Sequence, residues 1–125
     1  MDAVAYALAS GVPASTSNFA FPTDLPQALI DHGQSTLADG TVLVTGGEEG
    51  ASPVATANVL LYDPATGLWT SKTSLPAANY GHRQSTLADG TVLITGGQNS
   101  ANAVQSAVRS YDPATDTWTT KTSMP

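Results

Sequence analysis

The feature that most constrains this sequence is an internal repeat of about 50 residues. Residues 34–47 and 84–97 are identical except that Val44 in the first copy is replaced by Ile94 in the second. Self-similarity at such a period is typical of stacked structural units, in which each unit covers the hydrophobic surface of its neighbour. The repeat therefore predicts a chain built from like units rather than one ordinary domain.

The repeat continues downstream at a fixed spacing. The sequence Tyr-Asp-Pro-Ala-Thr begins at Tyr62 and again at Tyr111, and a tryptophan follows each tyrosine by seven residues, at Trp69 and Trp118. The offset between copies is 50 residues at the glycine pair and 49 at the tyrosine, so one residue is lost between these two points. The two units thus correspond along their length and should share one fold.

Within a unit, the pattern predicts four β-strands. In the second unit, residues 83–88 and 91–95 flank an Asp-Gly pair that should supply the positive φ angles of a tight hairpin turn. A third strand is predicted over about 105–111, where Asp-Pro ends it, and a fourth should contain residues 117–120. Each unit is therefore predicted to be a four-stranded antiparallel meander in an all-β fold.

These residues resemble the kelch repeat, which shows a glycine pair, a tyrosine and a tryptophan at such spacings. The resemblance covers roughly residues 30–125, and the segment 80–82 is similar to bacterial kelch units of the galactose-oxidase type. It implies a kelch-type β-propeller, with two blades in this chain. Many kelch units have an arginine where this chain has Asn79, which argues against recognition of acidic peptides through that residue.

The chain divides into three predicted parts: an N-terminal extension over 1–30, a first blade over 31–76 and a second blade over 77–125. The extension should contain a short helix beginning near Asp2 and a surplus segment similar to a fourth strand. Four apolar residues of this arm are predicted to serve docking or assembly: Val4, Leu8, Phe19 and Phe21.

The two-blade length predicts partners. Kelch propellers typically close with six or seven blades, and a blade is covered on both faces only when neighbours stack on it. Two blades leave two faces open, so we expect either other copies of the chain, three of which would give six blades, or further blades of a longer chain.

Composition excludes several classes of function. The net charge is −6 with only four Lys and Arg, which disfavours nucleic acid as a partner, and no apolar run is long enough to span a membrane. The chain has no cysteine, which removes disulfides and thiolate metal sites. Copper radical oxidases with kelch propellers need cysteine, tyrosine and histidine together, so that activity cannot reside in these residues.

No catalytic, metal-binding or cofactor-binding set stands out in the sequence, and we predict no enzyme activity and no cofactor for these residues. His32 and His82 occupy the same position in successive units. Such positions are a blade width apart, and a metal would need further ligands close by. Structural roles are therefore the favoured interpretation of both histidines.

Ligand binding is predicted at the loops, because surface loops on a rigid scaffold usually carry recognition. The resemblance implies that the loops between strands two and three, and between blades, share one rim. Their polar and aromatic content favours a glycan or a peptide, and the acidic pair could instead meet a cation or basic partner. The candidate residues are Glu48, Glu49, Asn79, Tyr80, His82, Arg83, Gln98 and Asn99.

The sequence as a whole predicts a non-catalytic propeller module for recognition or structural assembly. Low charge, abundant Ser and Thr and the absence of cysteine favour an extracellular or virion component, of the tail or fibre type, over a cytoplasmic protein. Two alternatives stay open: the N-terminal blades of a larger kelch-bearing enzyme of galactose-oxidase type, and an intracellular kelch adaptor.

Overall fold

The fold is known from a computed structural model, which describes residues 25–26, 28–49 and 54–125. The predicted N-terminal helix and the predicted docking residues Val4, Leu8, Phe19 and Phe21 lie outside these residues. The described part of the chain is all-β, as predicted, and it contains no helix that could cross a membrane. Its eleven strands are β1 (Leu29–Ile30), β2 (Gly33–Thr36), β3 (Val42–Thr45), β4 (Glu48–Glu49), β5 (Val54–Ala55), β6 (Val59–Asp63), β7 (Leu68–Lys72), β8 (Arg83–Thr86), β9 (Val92–Thr95), β10 (Val108–Asp112) and β11 (Thr117–Lys121).

Two four-stranded antiparallel sheets confirm the predicted meanders. The first has the order β2-β3-β6-β7 and the second the order β8-β9-β10-β11. The innermost strands β2 and β8 lie side by side, and the Thr86 hydroxyl donates to the Thr36 carbonyl across them at 2.6 Å. Each sheet is one blade, and we call them the first blade and the second blade.

The Asp-Gly turns differ from the predicted type. Only the glycine of each pair has a positive φ, which is +89° at both Gly40 and Gly90. The Gly90 amide donates to the Leu87 carbonyl, while the Asp89 carboxylate accepts the Thr91 amide at 3.0 Å and its hydroxyl at 2.6 Å. This is a type I turn followed by a left-handed glycine, in which the aspartate works as an acceptor and needs no positive φ.

The spacing of tyrosine and tryptophan is explained by cross-strand pairing. Tyr62 lies directly opposite Trp69 in the β6–β7 hairpin, and Tyr111 lies opposite Trp118 in β10–β11. The ring centroids are 4.9 and 4.8 Å apart, with the planes inclined by 42° in both pairs. Aromatic cross-strand pairs of this kind stabilise a sheet and fix its register.

The hydrophobic core lies between the two blades. One cluster joins buried side chains of the first blade with those of the second, and Ala57, Leu61 and Trp118 pack against it. Because both blades contribute, the core is an interface between blades as well as the interior of each. Its buried members are Leu37, Leu43, Val59, Leu75, Val92, Ile94 and Tyr111.

A carboxylate of the second blade also holds the connection that leaves the first. The Asp116 carboxylate accepts hydrogen bonds from the Thr73 amide at 3.1 Å and from the Thr73 hydroxyl at 2.8 Å. The Tyr111 hydroxyl donates to the same carboxylate. The bond from Tyr111, and then those from Thr73, keep the pKa of Asp116 below its ordinary value. The corresponding turn of the first blade has Gly67, which also has a positive φ.

We expect Asp116→Gly to loosen this connection without straining the turn, because glycine accepts the φ of +55° found at Asp116. The Thr73 amide should exchange with solvent faster, and the midpoint of urea unfolding should fall. Hydrogen exchange followed by NMR measures the first effect. Asp89→Asn is the control, since that carboxylate serves only its own turn, and unchanged Thr73 exchange in Asp116→Gly would contradict the assigned role.

Candidate functional site

A hydrogen-bond network of four side chains joins the two blades. The Thr45 hydroxyl at the end of β3 lies 2.8 Å from Nε2 of His82 and 2.6 Å from Oε1 of Gln84. Nε2 of Gln84 donates to the Ser35 hydroxyl at 2.9 Å and to the Leu43 carbonyl at 3.0 Å. Two residues entering the second blade are thus bound to the inner strands of the first.

The direction of each bond in this network follows from its donors. The Leu43 carbonyl can only accept, so the Gln84 amide must turn its nitrogen toward it and its oxygen toward Thr45. The Thr45 hydroxyl has one proton, which it donates to that oxygen, and His82 must therefore donate from Nε2 to Thr45. The proton of neutral His82 is thereby placed on Nε2, and Nδ1 is an unprotonated, buried atom with no partner among the described residues.

This arrangement disfavours a charge on His82. The side chain is 3% exposed, and its burial lowers the pKa to about 4. Protonation would add a buried N–H donor at Nδ1 with no acceptor. His82 is therefore a neutral interface residue at physiological pH, as the structural interpretation of the sequence favoured.

Asn79 is buried at the same interface. Its Nδ2 donates to the Gly96 carbonyl at 2.9 Å, its backbone carbonyl accepts the Gly47 amide at 2.8 Å, and its own amide donates to the Thr56 carbonyl at 3.3 Å. The side-chain oxygen of Asn79 is buried and has no partner within residues 25–26, 28–49 and 54–125. At the position where many kelch units carry arginine, this chain has an amide that fastens the connection between blades to both glycine pairs.

The loops predicted to share one rim do lie together. The β7–β8 connection pairs with the β9–β10 connection through a bridge between Tyr80 and Gln98, and a second bridge, between Gln98 and Val104, lies within the β9–β10 connection. Tyr80 donates its hydroxyl to Asn102 at 2.6 Å, and the Gly81 amide donates to the Asp31 carbonyl at 2.8 Å. The segments that lead into β2 and β8, the first strands of the two blades, therefore meet at this rim.

Glu48 and Glu49 form a strand, which corrects the expectation of a loop. They make up β4, the centre of a three-stranded sheet in the order β1-β4-β5. Glu48 pairs with Ile30 and Ala55. The physical reason is that the β3–β6 connection folds back beside the segment that leads into β2, and the two segments satisfy each other's backbone groups by pairing. The bridges at Gln98 do the same in the second blade.

The predicted ligand residues divide into two groups by position. Asn79 and His82 are buried between the blades, and Tyr80 is 9% exposed. The others are more accessible on the rim or at its inner edge, and the role of all eight in ligand binding stays a prediction. The accessible group comprises Glu48, Glu49, Gln98 and Asn99, which are half-buried, and Arg83, which is exposed.

The rim also contains a residue that sequence reasoning missed. Asn102 is exposed, has a φ of +61° and accepts the Tyr80 hydroxyl. The backbone amide of Asn99 donates to the Ala103 carbonyl, and the Asn99 carbonyl accepts the Asn102 amide. The Asn99 side-chain oxygen accepts the amides of Ala101 and Ala103. The signal for this loop was two asparagines three residues apart, since asparagine tolerates left-handed backbone and caps its own turn.

The electrostatic character of the rim changes between the blades. The first blade contributes Asp31, Glu48 and Glu49, whereas the second contributes the neutral amides of Gln98, Asn99 and Asn102. Among the described residues no group of three or more His, Asp or Glu side chains is placed to hold a metal ion. The second blade's part of the rim is suited to hydrogen bonding with an uncharged ligand.

Comparisons with known proteins agree with this architecture. The family model for the Kelch motif matches residues 82–125. Among solved structures, the chain is similar to YjhT, a kelch-type propeller protein, with 18% identity and a TM-score of 0.66 over 78% of this chain and 39% of that one. It is also similar to a fungal alcohol oxidase of the AA5 family in complex with copper, with 26% identity and a TM-score of 0.59 over 73% of this chain and 18% of the oxidase.

Curated protein sequences give no match to the chain. It spans 39% and 18% of the length of the two solved structures. The matched motif begins at His82, where the connection described above enters the second blade, and the first blade repeats the same strand order. In its described part the chain therefore has the fold of two kelch-type β-propeller blades, and the second of these blades carries the Kelch motif.

Proposed function

We propose that this chain is a non-catalytic kelch module that recognises a neutral polar ligand, a glycan, at the rim of its second blade. The observation that carries the proposal is the amide cluster of Gln98, Asn99 and Asn102 beside Tyr80. Amides and a tyrosine offer donors, acceptors and an aromatic face, which suit hydroxyl-rich ligands. The bonds within the cluster hold its groups in place before a ligand arrives.

The contrast between strands and loops supports a recognition role. The segments 34–47 and 84–97 differ at one residue, whereas the connections that follow them differ in charge, length and pairing. A rigid scaffold that carries varied loops is the usual design of a binding module.

Substitutions at the rim test the proposal. Arg83→Ala removes an exposed cation at the inner edge, and Asn102→Gly removes the acceptor of Tyr80 while keeping a residue that accepts its φ of +61°. We expect each to weaken binding to neutral oligosaccharides about tenfold, which corresponds to about 1.4 kcal/mol. An array of neutral glucose-, galactose- and N-acetylglucosamine-containing oligosaccharides, followed by calorimetry on the best ligand, measures the effect.

Lys121→Ala is the matched control for Arg83→Ala, because Lys121 is an exposed cation on the outer strand β11. The control should bind like the wild type. If the wild type binds no neutral oligosaccharide, or if the rim variants and the control bind equally well, the proposed site is wrong. Binding of peptides alone would overturn the assigned ligand class.

A second proposal is that these blades are the N-terminal part of a larger kelch-bearing enzyme of galactose-oxidase type. The likeness to the AA5 alcohol oxidase at 26% identity favours it. The chain has no cysteine, so a copper radical site would need residues from elsewhere. The test is the full open reading frame around these codons: a downstream domain with copper ligands would support it, and a frame limited to blades would reject it.

We propose an extracellular or virion setting, with a tail- or fibre-type component as the leading form. The support is compositional: charged residues make up 11% of the chain, and it has no cysteine to be oxidised outside the cell. Detection of the protein with an antibody in purified virions or in the culture medium tests this setting, and exclusive recovery from the cytosol would reject it.

A further inference from the structure

Each blade uses one face to meet the other blade and turns a second face outward. On the second blade, the outward positions are those whose counterparts in the first blade are buried by stacking. Leu87 is 40% exposed, whereas its counterpart Leu37 is 8% exposed, and Met124 is 39% exposed, whereas Leu75 is 5% exposed. Positions that are equivalent in the repeat thus differ in burial because one blade has a neighbour there and the other does not.

On the first blade, the positions that face away from the second blade are likewise less buried than their counterparts, because those counterparts face the neighbouring blade. Tyr62 is half-buried, whereas its counterpart Tyr111 is 1% exposed. Trp118 donates from Nε1 to the Thr73 carbonyl of the preceding blade at 2.9 Å, whereas Nε1 of Trp69 is buried and has no partner in the part of the chain that the structure describes. A preceding blade would supply the carbonyl that Trp69 lacks.

We propose that a second copy of this chain docks head-to-tail on the first, with its first blade stacked on the outer face of the other copy's second blade. The contact repeats the one between the blades within a chain. His32 and Gln34 of the arriving copy take the roles of His82 and Gln84. On the receiving copy, Ser85, Leu93 and Thr95 take the roles of Ser35, Leu43 and Thr45.

The repeat supplies the complementarity that the proposal needs. Every donor and acceptor of the existing network recurs with the same residue type 50 positions away. Thr45 is fully buried by its partners, whereas its counterpart Thr95 is half-buried. Gln84 is half-buried, whereas its counterpart Gln34 is exposed. A second copy is the occupant because its first blade presents this matched set on an outward face.

The tryptophan position adds an independent match. Thr122 holds the place in the second unit that Thr73 holds in the first. In the docked pair, the Thr122 carbonyl of the receiving copy would accept Nε1–H of Trp69 from the arriving copy. A buried polar atom that has no partner among the described residues is thereby satisfied by assembly.

Such a contact is heterologous, because it uses two different surfaces of the same chain. Repeated application closes a ring or continues as an open stack. The proposal concerns the blade faces, and the glycan site proposed above lies on the rim, so either can fail alone.

The experiment uses two substitutions that block one face each and leave the existing interface between blades untouched. Thr95→Arg blocks the receiving face, and Gln34→Arg blocks the arriving face. Sedimentation velocity of the full 125-residue chain over a hundredfold range of concentration measures assembly. Thr119→Arg, at an exposed position on the outer strand β11, is the control for the added charge.

We expect the wild type and the control to form particles of at least twice the 12.7 kDa chain mass. Each blocked variant alone should sediment as a folded monomer with the circular dichroism of the wild type. A mixture of the two variants should form a one-to-one dimer, because each retains the face that the other has lost. A monomeric wild type, assembly that survives both substitutions, or a mixture that stays monomeric would overturn the proposal.

Discussion

Gly46→Ala is expected to destabilise the chain by about 3 kcal/mol or more, whereas the equivalent Gly96→Ala should cost about 1 kcal/mol. Both glycines have positive φ, +60° and +69°, so alanine is strained by the backbone at either position. Only at Gly46 would the added methyl group also collide with the Asn79 carbonyl oxygen and with Cε1 of His82. At Gly96 the nearest atom is the flexible end of Met124, 3.3 Å away.

The pair of variants isolates the effect of stacking because the strand that leads to each glycine differs only by Val44 in place of Ile94. Urea unfolding of dilute protein at pH 7 measures it, so that contacts between copies do not enter. Equal losses for the two variants would show that backbone strain alone accounts for them, and that the close approach of the blades at Gly46 has no energetic weight.

Lowering the pH from 7 to 4 should reduce the free energy of unfolding by about 3 kcal/mol through His82 alone. The pKa of His82 is about 4 in the folded chain against an ordinary value of 6.5. Between these values the unfolded chain binds a proton that the folded chain does not, so stability falls as the pH falls from about 6.5 to about 4. The carboxylates with lowered pKa, such as Asp116, add their losses at lower pH, around and below the ordinary carboxylate pKa of 3.8.

His82→Gln should remove this dependence while keeping a side-chain amide that can donate to Thr45. His32→Gln is the matched control, and it should retain the dependence of the wild type. The measurement is urea unfolding at intervals of half a pH unit, followed by tryptophan fluorescence. A slope that is the same in wild type and His82→Gln would mean that the buried imidazole does not control acid stability.

The strand framework of the blades could be predicted from the sequence because it is set locally. The Asp-Gly and Asp-Pro turns fix each hairpin, and the step of seven positions from tyrosine to tryptophan places Tyr111 opposite Trp118. These signals act over short distances along the chain, so a repeat makes them visible twice.

The network between the blades could not be predicted in this way. Gln34 and Gln84 begin two runs that differ at one residue in fourteen, and stacking determines that Gln84 bonds to Thr45 while Gln34 is exposed. Asp116 and Thr73 are 43 positions apart, and the matching turn of the other unit has glycine. The strand at Glu48 and Glu49 was missed because its partners come from the entry segment and from β5, and its sequence has no alternation of apolar and polar residues.

Each unit contains both halves of the contact that holds it to a neighbour: histidine and glutamine on one side, and serine and threonine on the other. A tandem duplication of the coding stretch for one unit would therefore add a blade that fits at once, with no compensating change in the rest of the gene. The same duplication would copy the loops that follow the glycine pairs, which take no part in the His–Thr–Gln network and so are free to diverge. Blade number and ligand preference can thus change by separate genetic events.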